Sequence, residues 1–284
     1  MITFANVETT PAALERYRAL FVACFPAGAS ERFTPDYLDW LYRANPDGRV
    51  VGFDAWDGEK LAAHYVCLPA QARFEGQLIR VLLSLNTATH PDYQGQGLFS
   101  QLAHMCYDAA SALGYDAVYG VANANSTPGF IRKLGFQLVR PLEARVGLGP
   151  VLRKDSQRQP SFERHWSAAA LAWRCANPNN PVTRRAAGTG WQFFAPSLST
   201  MLPAIATLDH APEVAAVASA GWTSPARLFI GLVPDAERAY WNYVSIPQRL
   251  RPSPLNLIFK PLSARVARLD PARIRFSFLD FDAY

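Results

Sequence analysis

The stretch His90-Pro91-Asp92-Tyr93-Gln94-Gly95-Gln96-Gly97-Leu98-Phe99 joins an apolar, strand-like run to a segment with helical periodicity. Gly95 and Gly97 stand two positions apart, and glycine lets backbone N–H groups turn inward because it has no Cβ in the way. A helix that begins near Gly97 points its unpaired amides and the positive end of its dipole into the same space. The stretch therefore predicts an anion site suited to a pyrophosphate.

Two better-known phosphate loops do not fit this stretch. A dinucleotide fingerprint needs a third glycine and a later acidic residue for the ribose, and both are missing. A P-loop needs Lys and then Ser or Thr after its last glycine, whereas Leu98 and Phe99 stand there. By themselves the two glycines are also typical of a plain strand-to-helix turn, so the functional prediction depends on the residues around them.

The residues on either side of the loop predict a mixed α/β fold for the first half of the chain. Apolar runs predict the strands, the turn Asp57-Gly58 predicts a hairpin, and apolar residues three and four positions apart predict the helices. The predicted elements are a strand at 2–7, a helix at 11–25, a helix from Pro35 that ends before Asn45, strands at 50–56, 61–68 and 79–89, a helix at 97–113, a strand at 117–122, a helix at 128–134 and a strand at 137–148.

The second half, from about Pro150, has a less regular pattern. It predicts a helix at 162–173 and strands at 191–195, 228–233, 255–260 and 275–281.

One weak internal echo links the two halves. Leu38-Asp39-Trp40 stands ahead of Asn45-Pro46, and Leu171-Ala172-Trp173 stands ahead of Asn177-Pro178, with a spacing that differs by one residue. We therefore expect two domains, at 1–149 and 150–284. The second is a decayed duplicate of the first, unless the echo is accidental.

Composition narrows the class of protein. The 284 residues are 50% hydrophobic and 18% charged, which suits one large domain or two smaller ones. The four cysteines lie far apart without CxxC or Cys/His pairing, so we expect reduced thiols and no metal site. The first residues lack the pattern of a signal peptide, and no run of about 18 apolar residues occurs, so we expect a cytoplasmic protein without membrane insertion. The net charge of +5 comes from scattered basic residues, which argues against a nucleic-acid partner.

A second motif, Asn123-Ala124-Asn125-Ser126-Thr127-Pro128-Gly129-Phe130-Ile131-Arg132-Lys133-Leu134-Gly135-Phe136, follows the loop. Together the two motifs resemble the GNAT superfamily of acyl-CoA N-acyltransferases. That family has a Gln/Arg-x-x-Gly-x-Gly/Ala loop after its fourth strand, then an Asn-led short helix that ends in Lys-x-Gly-Phe. Gln94 and Gly97 match the first and fourth loop positions, and Asn125 and 133–136 match the later segment. The resemblance covers about residues 1–148 and implies a GNAT-like fold, a central mixed β-sheet flanked by helices.

The resemblance implies transfer of an acetyl or other short acyl group from acetyl-CoA, or another acyl-CoA, to the primary amine of a small acceptor, with an amino sugar as one candidate. Domain 1–149 would bind the acyl-CoA, and domain 150–284, as a smaller, degenerate GNAT-like half, would contribute to the acceptor site. The cofactor contacts that the resemblance implies are Thr87, Ala88, Thr89, Gln94, Gly95, Gln96, Gly97, Leu98, Phe99, Asn125 and Phe130.

The catalytic residues have less support. His64 lies on the strand next to the cofactor strand, and histidine accepts a proton near neutral pH, although a lone strand histidine is also typical of a structural role. Asn125 is a hydrogen-bond partner for the cofactor or a helix cap. Ser126 is a nearby hydroxyl that could supply a proton.

Two departures from the family pattern leave other functions open. Phe99 stands where the loop usually has Gly or Ala. Ile131 stands where the family often has a Tyr that protonates the departing thiolate, and Ile has no proton to give. A catalytically inactive CoA-binding or regulatory module is therefore one alternative, and a tandem transferase of related fold that uses aminoacyl-tRNA is another.

Overall fold

A computed structural model describes residues 1–25, 28–151, 153–154, 159–188, 190–197, 199, 201–209, 212–214, 216–221, 223–251 and 253–281. The strands among them, β1 to β14 in chain order, are Ile2–Asn6, Val51–Asp57, Lys60–Phe74, Gln77–Thr89, Ala117–Ala122, Gln137–Pro141, Glu143–Leu148, Phe162–Arg164, Thr183–Ala187, Gly190–Ala195, Ala204–Leu208, Ala226–Gly231, Tyr243–Ser245 and Asn256–Pro261. The α-helices, α1 to α6, are Pro11–Cys24, Ala29–Arg32, Pro35–Tyr42, Leu98–Ala112, Thr127–Leu134 and Ala168–Cys175. Single-turn 3-10 helices span Pro91–Tyr93, Asp235–Glu237, Gln248–Leu250, Pro271–Arg273 and Phe278–Asp280.

The strands form two sheets. The first has the order β1-β2-β3-β4-β5-β14-β6, with β8 paired to one end of β3, and the second has the order β13-β7-β12-β11-β10-β9. One neighbouring pair in each sheet is parallel, β4 with β5 and β11 with β12, and the others are antiparallel. The predicted mixed α/β fold is confirmed.

The two sheets repeat one strand order. The sequence β2-β3-β4-β5-β14-β6 of the first sheet corresponds position by position to β9-β10-β11-β12-β7-β13 of the second, with the parallel pair in the same place. In this correspondence β7 comes from the first half of the chain and β14 from the second, so the sheets exchange one strand each. The boundary predicted between residues 149 and 150 stays a prediction.

The first sheet is covered on both faces. Helices α1 and α3 pack on one face, where Tyr17, Phe21 and Tyr37 are fully or almost fully buried, and α4 and α5 pack on the other. Alternation along β3 sends Val66 to the first face and Tyr65 to the second, as the period of two in a strand requires. The sheet between these layers carries the loop that follows β4.

Helices α3 and α6 meet in a symmetric contact. The side chains of Thr34 and Ser167 cap their N-termini by accepting N–H groups from the first turns. Trp40 and Trp173 stack with ring centroids 4.7 Å apart, and each indole N–H donates to the backbone carbonyl of the other residue at 2.9 Å. The weak echo in the sequence thus corresponds to a matched pair of helices, while common ancestry of the halves stays a prediction.

The strand predicted at 137–148 is wrong in one respect, because it is two strands in different sheets. Strand β6 ends at Pro141, which has no N–H to donate, and the N–H of Leu142 bonds to the carbonyl of Leu255 at 2.7 Å. The chain then crosses to the second sheet as β7.

Two predictions in the second half are also wrong. The helix predicted at 162–173 is strand β8 followed by α6, which begins only after its cap at Ser167. The strand predicted at 275–281 is instead a short 3-10 turn, because Ser277 and Asp280 form a capping box around it. Apolar content alone had suggested regular structure of the wrong type in both places.

Within the ranges given above, no helix is both long and apolar enough to span a bilayer.

Candidate functional site

The loop after β4 has the backbone that its glycines predict. Gly95 and Gly97 have φ of 79° and 78°, the left-handed region that glycine adopts without a steric penalty. Gly97 is the N-cap of α4 and provides no side chain to bond the first amides of the helix. A Cβ built at either glycine would have no heavy atom within 4 Å, so both face open space. The free amides of α4 therefore lie open to an incoming anion.

Side chains on the β2–β3 hairpin hold the start of this loop. The Nζ of Lys60 lies 2.7 Å from Oδ2 of Asp92, and the hydroxyl of Tyr93 donates to Oδ2 of Asp57 at 3.1 Å. His90 caps the 3-10 turn through its Nδ1, which accepts from the N–H of Asp92 at 3.3 Å. The Lys60 pair is solvent-exposed, so it fixes geometry more than it adds stability.

A cleft of about 450 Å³ lies against this loop, and we call it the loop cleft. It lies between the end of β4, the start of α4 and the helix α5. The residues that line it are Cys24, Phe25, Thr87, Ala88, Thr89, Tyr93, Gln94, Gly95, Gly97, Leu98, Phe99, Ser100, Asn125, Ser126, Gly129, Phe130 and Lys133. The fold thus brings together every residue predicted to contact the cofactor except Gln96, which is exposed outside the lining.

Strands β4 and β5 part beside this cleft. Their parallel pairing runs from Val81 with Ala117 to Ser84 with Gly120 and stops there. Opposite β3, β4 has one extra residue, since His64 faces Ala88 while Val66 already faces Leu85. Such a bulge leaves backbone groups without a ladder partner and bends the strand. The two strands therefore separate beyond Ser84 and Gly120.

A second cavity of about 740 Å³ occupies this opening, and we call it the seam cavity. Its lining residues are Cys24, Phe25, Arg32, Phe33, Leu83, Ser84, Leu85, Asn86, Thr87, Val121, Asn123, Asn125, Ser126, Phe130, Leu255 and Phe281. Six of them also line the loop cleft: Cys24, Phe25, Thr87, Asn125, Ser126 and Phe130. The two spaces therefore meet at Thr87, and a molecule in one can reach a molecule in the other.

Asn125 and Ser126 lie at the junction of the two spaces. The turn before α5 is held by Asn123, whose Oδ1 accepts from the N–H groups of both residues at 3.0 Å. The side chain of Asn125 makes no hydrogen bond to the part of the chain that the structure describes, so it stays available to a ligand. The Oγ of Ser126 lies 3.1 Å from the Oδ1 of Asn123, so this hydroxyl is partly committed.

His64 lies outside both cavities. Its side chain is fully buried, with Nδ1 2.6 Å from Oδ1 of Asp54 and Nε2 2.9 Å from the hydroxyl of Tyr42. Tyr119, another hydroxyl near the cofactor strand, is also remote, since it donates to the carbonyl of Asp280 and burial raises its pKa to about 12.

The two departures from the family pattern have different structural consequences. The ring of Phe99 packs edge-on against Phe130, and it fits because Gly129 has no side chain, since a Cβ there would lie 3.2 Å from the ring. Ile131 packs against the apolar cluster beneath α4 and does not line the loop cleft. Phe99 is therefore accommodated in the loop. The position where the family often has a Tyr is occupied by the apolar, partly buried side chain of Ile131.

The sequence interpretation missed several lining residues. Lys133 adds a positive charge three positions after Phe130, so the two share one face of α5. Cys24 and Phe25 at the end of α1 also lie at the junction, and burial raises the pKa of the Cys24 thiol. The spacing of Phe130 and Lys133 in the sequence could have revealed that Lys133 lines the cleft. The contribution of α1 depends on tertiary packing.

The part of the chain that carries the glycine loop matches a known family. The family model described as an acetyltransferase (GNAT) domain matches residues 8–139, which include β4, the loop, α4 and α5. Residues 8–139 are a GNAT acetyltransferase domain. No curated protein matches the chain.

Solved structures extend the likeness of fold beyond the GNAT domain. A GCN5-related N-acetyltransferase from Kribbella flavida is 14% identical, with a TM-score of 0.59, 92% of this chain covered and 71% of the other. A probable N-acyltransferase from Enterococcus faecalis is 11% identical, with a TM-score of 0.58 and coverage of 92% and 73%. Eis1 from Mycobacterium abscessus is 11% identical, with a TM-score of 0.56 and coverage of 93% and 74%. At such identities the likeness concerns the fold, and it includes both sheets.

Proposed function

We propose that the protein transfers an acetyl or other short acyl group from acyl-CoA to the primary amine of a small acceptor. The observation that carries the proposal is the junction of two spaces at Thr87 within the GNAT domain. The loop cleft would hold the acyl-CoA, and the seam cavity would hold the amine.

Electrostatics supports a pyrophosphate at the loop. The first turn of α4 has no acidic side chain, its amides are free, and Lys133 lines the same cleft. A helix N-terminus and a cation together favour a doubly charged anion. Gly95 and Gly97 leave the backbone uncovered, so phosphate oxygens can approach to hydrogen-bond distance.

The chemistry needs positioning more than strong acids or bases. The pantetheine arm would run along Thr87, Ala88 and Thr89, beyond the end of the β4–β5 pairing. The bulge at Asn86 and Thr87 leaves backbone groups free to bond the arm and the thioester carbonyl. The neutral amine nitrogen attacks the carbonyl carbon, the C–S bond breaks, and the proton lost by nitrogen goes to the thiolate. Ser126 or water would carry that proton, because Ile131 has none to give.

The walls of the seam cavity favour an acceptor with one amine and an apolar body. Four phenylalanines line it, and among its described lining residues Arg32 is the charged one, with no carboxylate to match a second ammonium group. Phenylalanine rings also stack on sugars, so an amino sugar stays a candidate. A polyamine would be disfavoured.

Ile131 supports a second candidate, a module that binds CoA without transfer. The partly buried, apolar side chain of Ile131 fills the position where the family often has its acid. This candidate shares the loop cleft with the first and differs only in turnover.

Calorimetric titration with acetyl-CoA tests both candidates. The wild type is compared with Gly97→Trp, in which a large side chain at a left-handed glycine fills the loop cleft. Gly188→Trp is the matched control, since Gly188 has φ of 59° and open space around it but lies in the turn between β9 and β10. We expect Gly97→Trp to weaken binding by about a hundredfold or more, since charge-assisted hydrogen bonds to the phosphates are lost, and Gly188→Trp to leave it unchanged.

Turnover separates the two candidates. Release of the CoA thiol is followed with 2-phenylethylamine, glucosamine and spermidine as acceptors, and we expect the first to be acylated and spermidine to be the poorest. Binding of acetyl-CoA without turnover of any of the three would favour the non-catalytic module. Failure of the wild type to bind acetyl-CoA at millimolar concentration would refute both.

A further inference from the structure

A buried chain of polar side chains runs from strand β2 to the seam cavity. Oδ1 of Asp54 lies 2.6 Å from Nδ1 of His64, Nε2 of His64 lies 2.9 Å from the hydroxyl of Tyr42, and Nδ2 of Asn86 donates to that hydroxyl at 3.2 Å. Asp54, His64 and Tyr42 are 2%, 0% and 0% exposed. Asn86 alone reaches open space, because it lines the seam cavity.

The donors and acceptors of these groups give the chain of hydrogen bonds a direction. Burial raises the pKa of Tyr42, so its hydroxyl keeps its single proton. In the tautomer that donates from Nδ1 of His64 to the carboxylate of Asp54, Nε2 accepts from the hydroxyl of Tyr42. Tyr17 donates to the other oxygen of Asp54 at 2.8 Å. The hydroxyl oxygen of Tyr42 is then left to accept, and only the amide nitrogen of Asn86 can donate to it.

The backbone of Asn86 is equally constrained. Its φ is 47°, a left-handed conformation that asparagine tolerates better than most residues, and it lies in the bulge of β4. The next residue, Thr87, lines both cavities. With its nitrogen committed to Tyr42, the amide presents its oxygen to the seam cavity beside the proposed path of the thioester.

We propose that the side-chain oxygen of Asn86 binds the amino group of the acceptor, and that Tyr42, His64 and Asp54 are positioning residues that keep this oxygen facing the cavity. The inference rests on the proposed function. A neutral primary amine that donates one N–H to Asn86 keeps its lone pair free for the carbonyl carbon. An amide turned the other way would present its own N–H groups, which would donate to the lone pair of the amine and occupy the electrons needed for attack.

The burial of these hydrogen-bonded side chains indicates a role beyond packing. Burial of Asp54, His64, Tyr42 and the Tyr17 hydroxyl has a desolvation cost that apolar residues of the same size would avoid. Here every bond points in one direction, and the series ends at a single amide on a cavity wall. This arrangement specifies which end of Asn86 faces the ligand.

Three variants with one control test the proposal in the full-length protein. Tyr42→Phe keeps the ring and removes the hydroxyl that anchors the amide. Asn86→Gly removes the amide but keeps a residue that adopts positive φ, and Asn86→Asp keeps an oxygen toward the cavity. The control is Tyr107→Phe, which removes another buried hydroxyl, bonded to Tyr65 at 2.7 Å and away from both cavities.

The first readout is kinetic, with acetyl-CoA and 2-phenylethylamine as substrates. For Tyr42→Phe and Asn86→Gly we expect the KM of the amine to rise about tenfold, with kcat within about twofold and the Kd of acetyl-CoA unchanged. Asn86→Asp and Tyr107→Phe should stay within about threefold of the wild type. An unchanged KM in both Tyr42→Phe and Asn86→Gly, or an equal rise in the Tyr107→Phe control, would overturn the proposal.

The second readout does not need turnover. The side-chain amide of Asn86 gives a pair of ¹H–¹⁵N NMR signals, which 2-phenylethylamine should shift in the wild type and shift much less in Tyr42→Phe. A wild-type signal that the amine leaves unmoved would overturn the proposal, and so would an equal shift in both proteins. Loss of the proposed function itself would be recognised separately, by the absence of acetyl-CoA binding to the wild type.

Discussion

The parallel strand pairs of the two sheets occupy the same place in the strand order but have different connections. Between β4 and β5 the chain forms the glycine loop and a 15-residue helix, and the two strands share four paired positions. Between β11 and β12 it spans 209–225, where the described residues contain no helix and no left-handed glycine, and one residue pair joins the strands. The site therefore depends on the segment that connects the two parallel strands and not on the strand order.

The next connection differs in the same way. After β5, the turn that begins at Asn123 and helix α5 form one wall of the loop cleft, and α5 carries Lys133. After β12, the described chain has only the 3-10 turn Asp235–Glu237 before β13. The second sheet retains the framework of the first without the two helices that supply an anion site. The second half of the chain contributes to the first site through Leu255 and Phe281, which lie outside the second sheet and line the seam cavity.

The largest effect should come from separating the two halves. A fragment of residues 1–149 lacks β14, whose residues Leu257, Ile258 and Phe259 are at most 1% exposed between β5 and β6. Burial of three such side chains contributes roughly 1.5–3 kcal/mol each, which approaches the whole stability of an ordinary domain. We expect the fragment to give no cooperative transition in urea, as followed by circular dichroism. A cooperative transition together with acetyl-CoA binding would establish residues 1–149 as an independent domain.

An intermediate effect should come from the tryptophan pair at the symmetric contact. Trp173→Ala and Trp40→Ala should each lower the free energy of unfolding by about 3 kcal/mol, because stacking and a hydrogen bond are lost together. The double variant should lose about 1–3 kcal/mol less than the sum, since the two side chains interact with each other. Trp241→Ala, at a side chain that is 83% exposed, is the control and should change little. Strict additivity at the pair would mean that the contact does not couple the halves.

The smallest effect should come from the helix caps. Thr34→Ala and Ser167→Ala each remove one cap hydrogen bond at corresponding helices, so each should lower the free energy of unfolding by about 1 kcal/mol. Ser245→Ala, on the exposed strand β13, is the control. Equal losses at the two caps support the correspondence of α3 and α6. A loss of stability in Thr34→Ala but not in Ser167→Ala would mean that α3 and α6 correspond in shape but not in the contribution of their caps to stability.

The sequence predicted those elements whose signals are local. Pro35 marked the start of α3, and Gly97 marked the start of α4, because first-turn prolines and left-handed glycines act within a few residues. The residues of the loop cleft were found because a family motif connects the loop to α5. The cleft lining supplied by α1, at Cys24 and Phe25, depends on tertiary packing, and no local pattern indicates it.

The features that the sequence did not reveal depend on contacts between distant parts of the chain. Residues 137–148 read as one strand because both pieces are apolar, but they belong to different sheets, and strand exchange leaves no trace in local periodicity. His64 was noticed as an isolated histidine, whereas its role depends on Asp54 and Tyr42, which lie ten and 22 positions before it. Asp54, an acidic residue among the apolar residues of β2, was the one local sign of this buried chain of polar side chains.

Strand exchange also bears on how the gene for such a protein can change. Once β14 has become the strand between β5 and β6, a deletion that removes the second half also removes an internal strand of the first sheet. Recombination that moves either half into another gene breaks both sheets for the same reason. The second half, whose described residues contain no anion loop, is therefore retained by the architecture, independently of any selection on its surface. Its loops are free to diverge, but its strands are inherited together with the site.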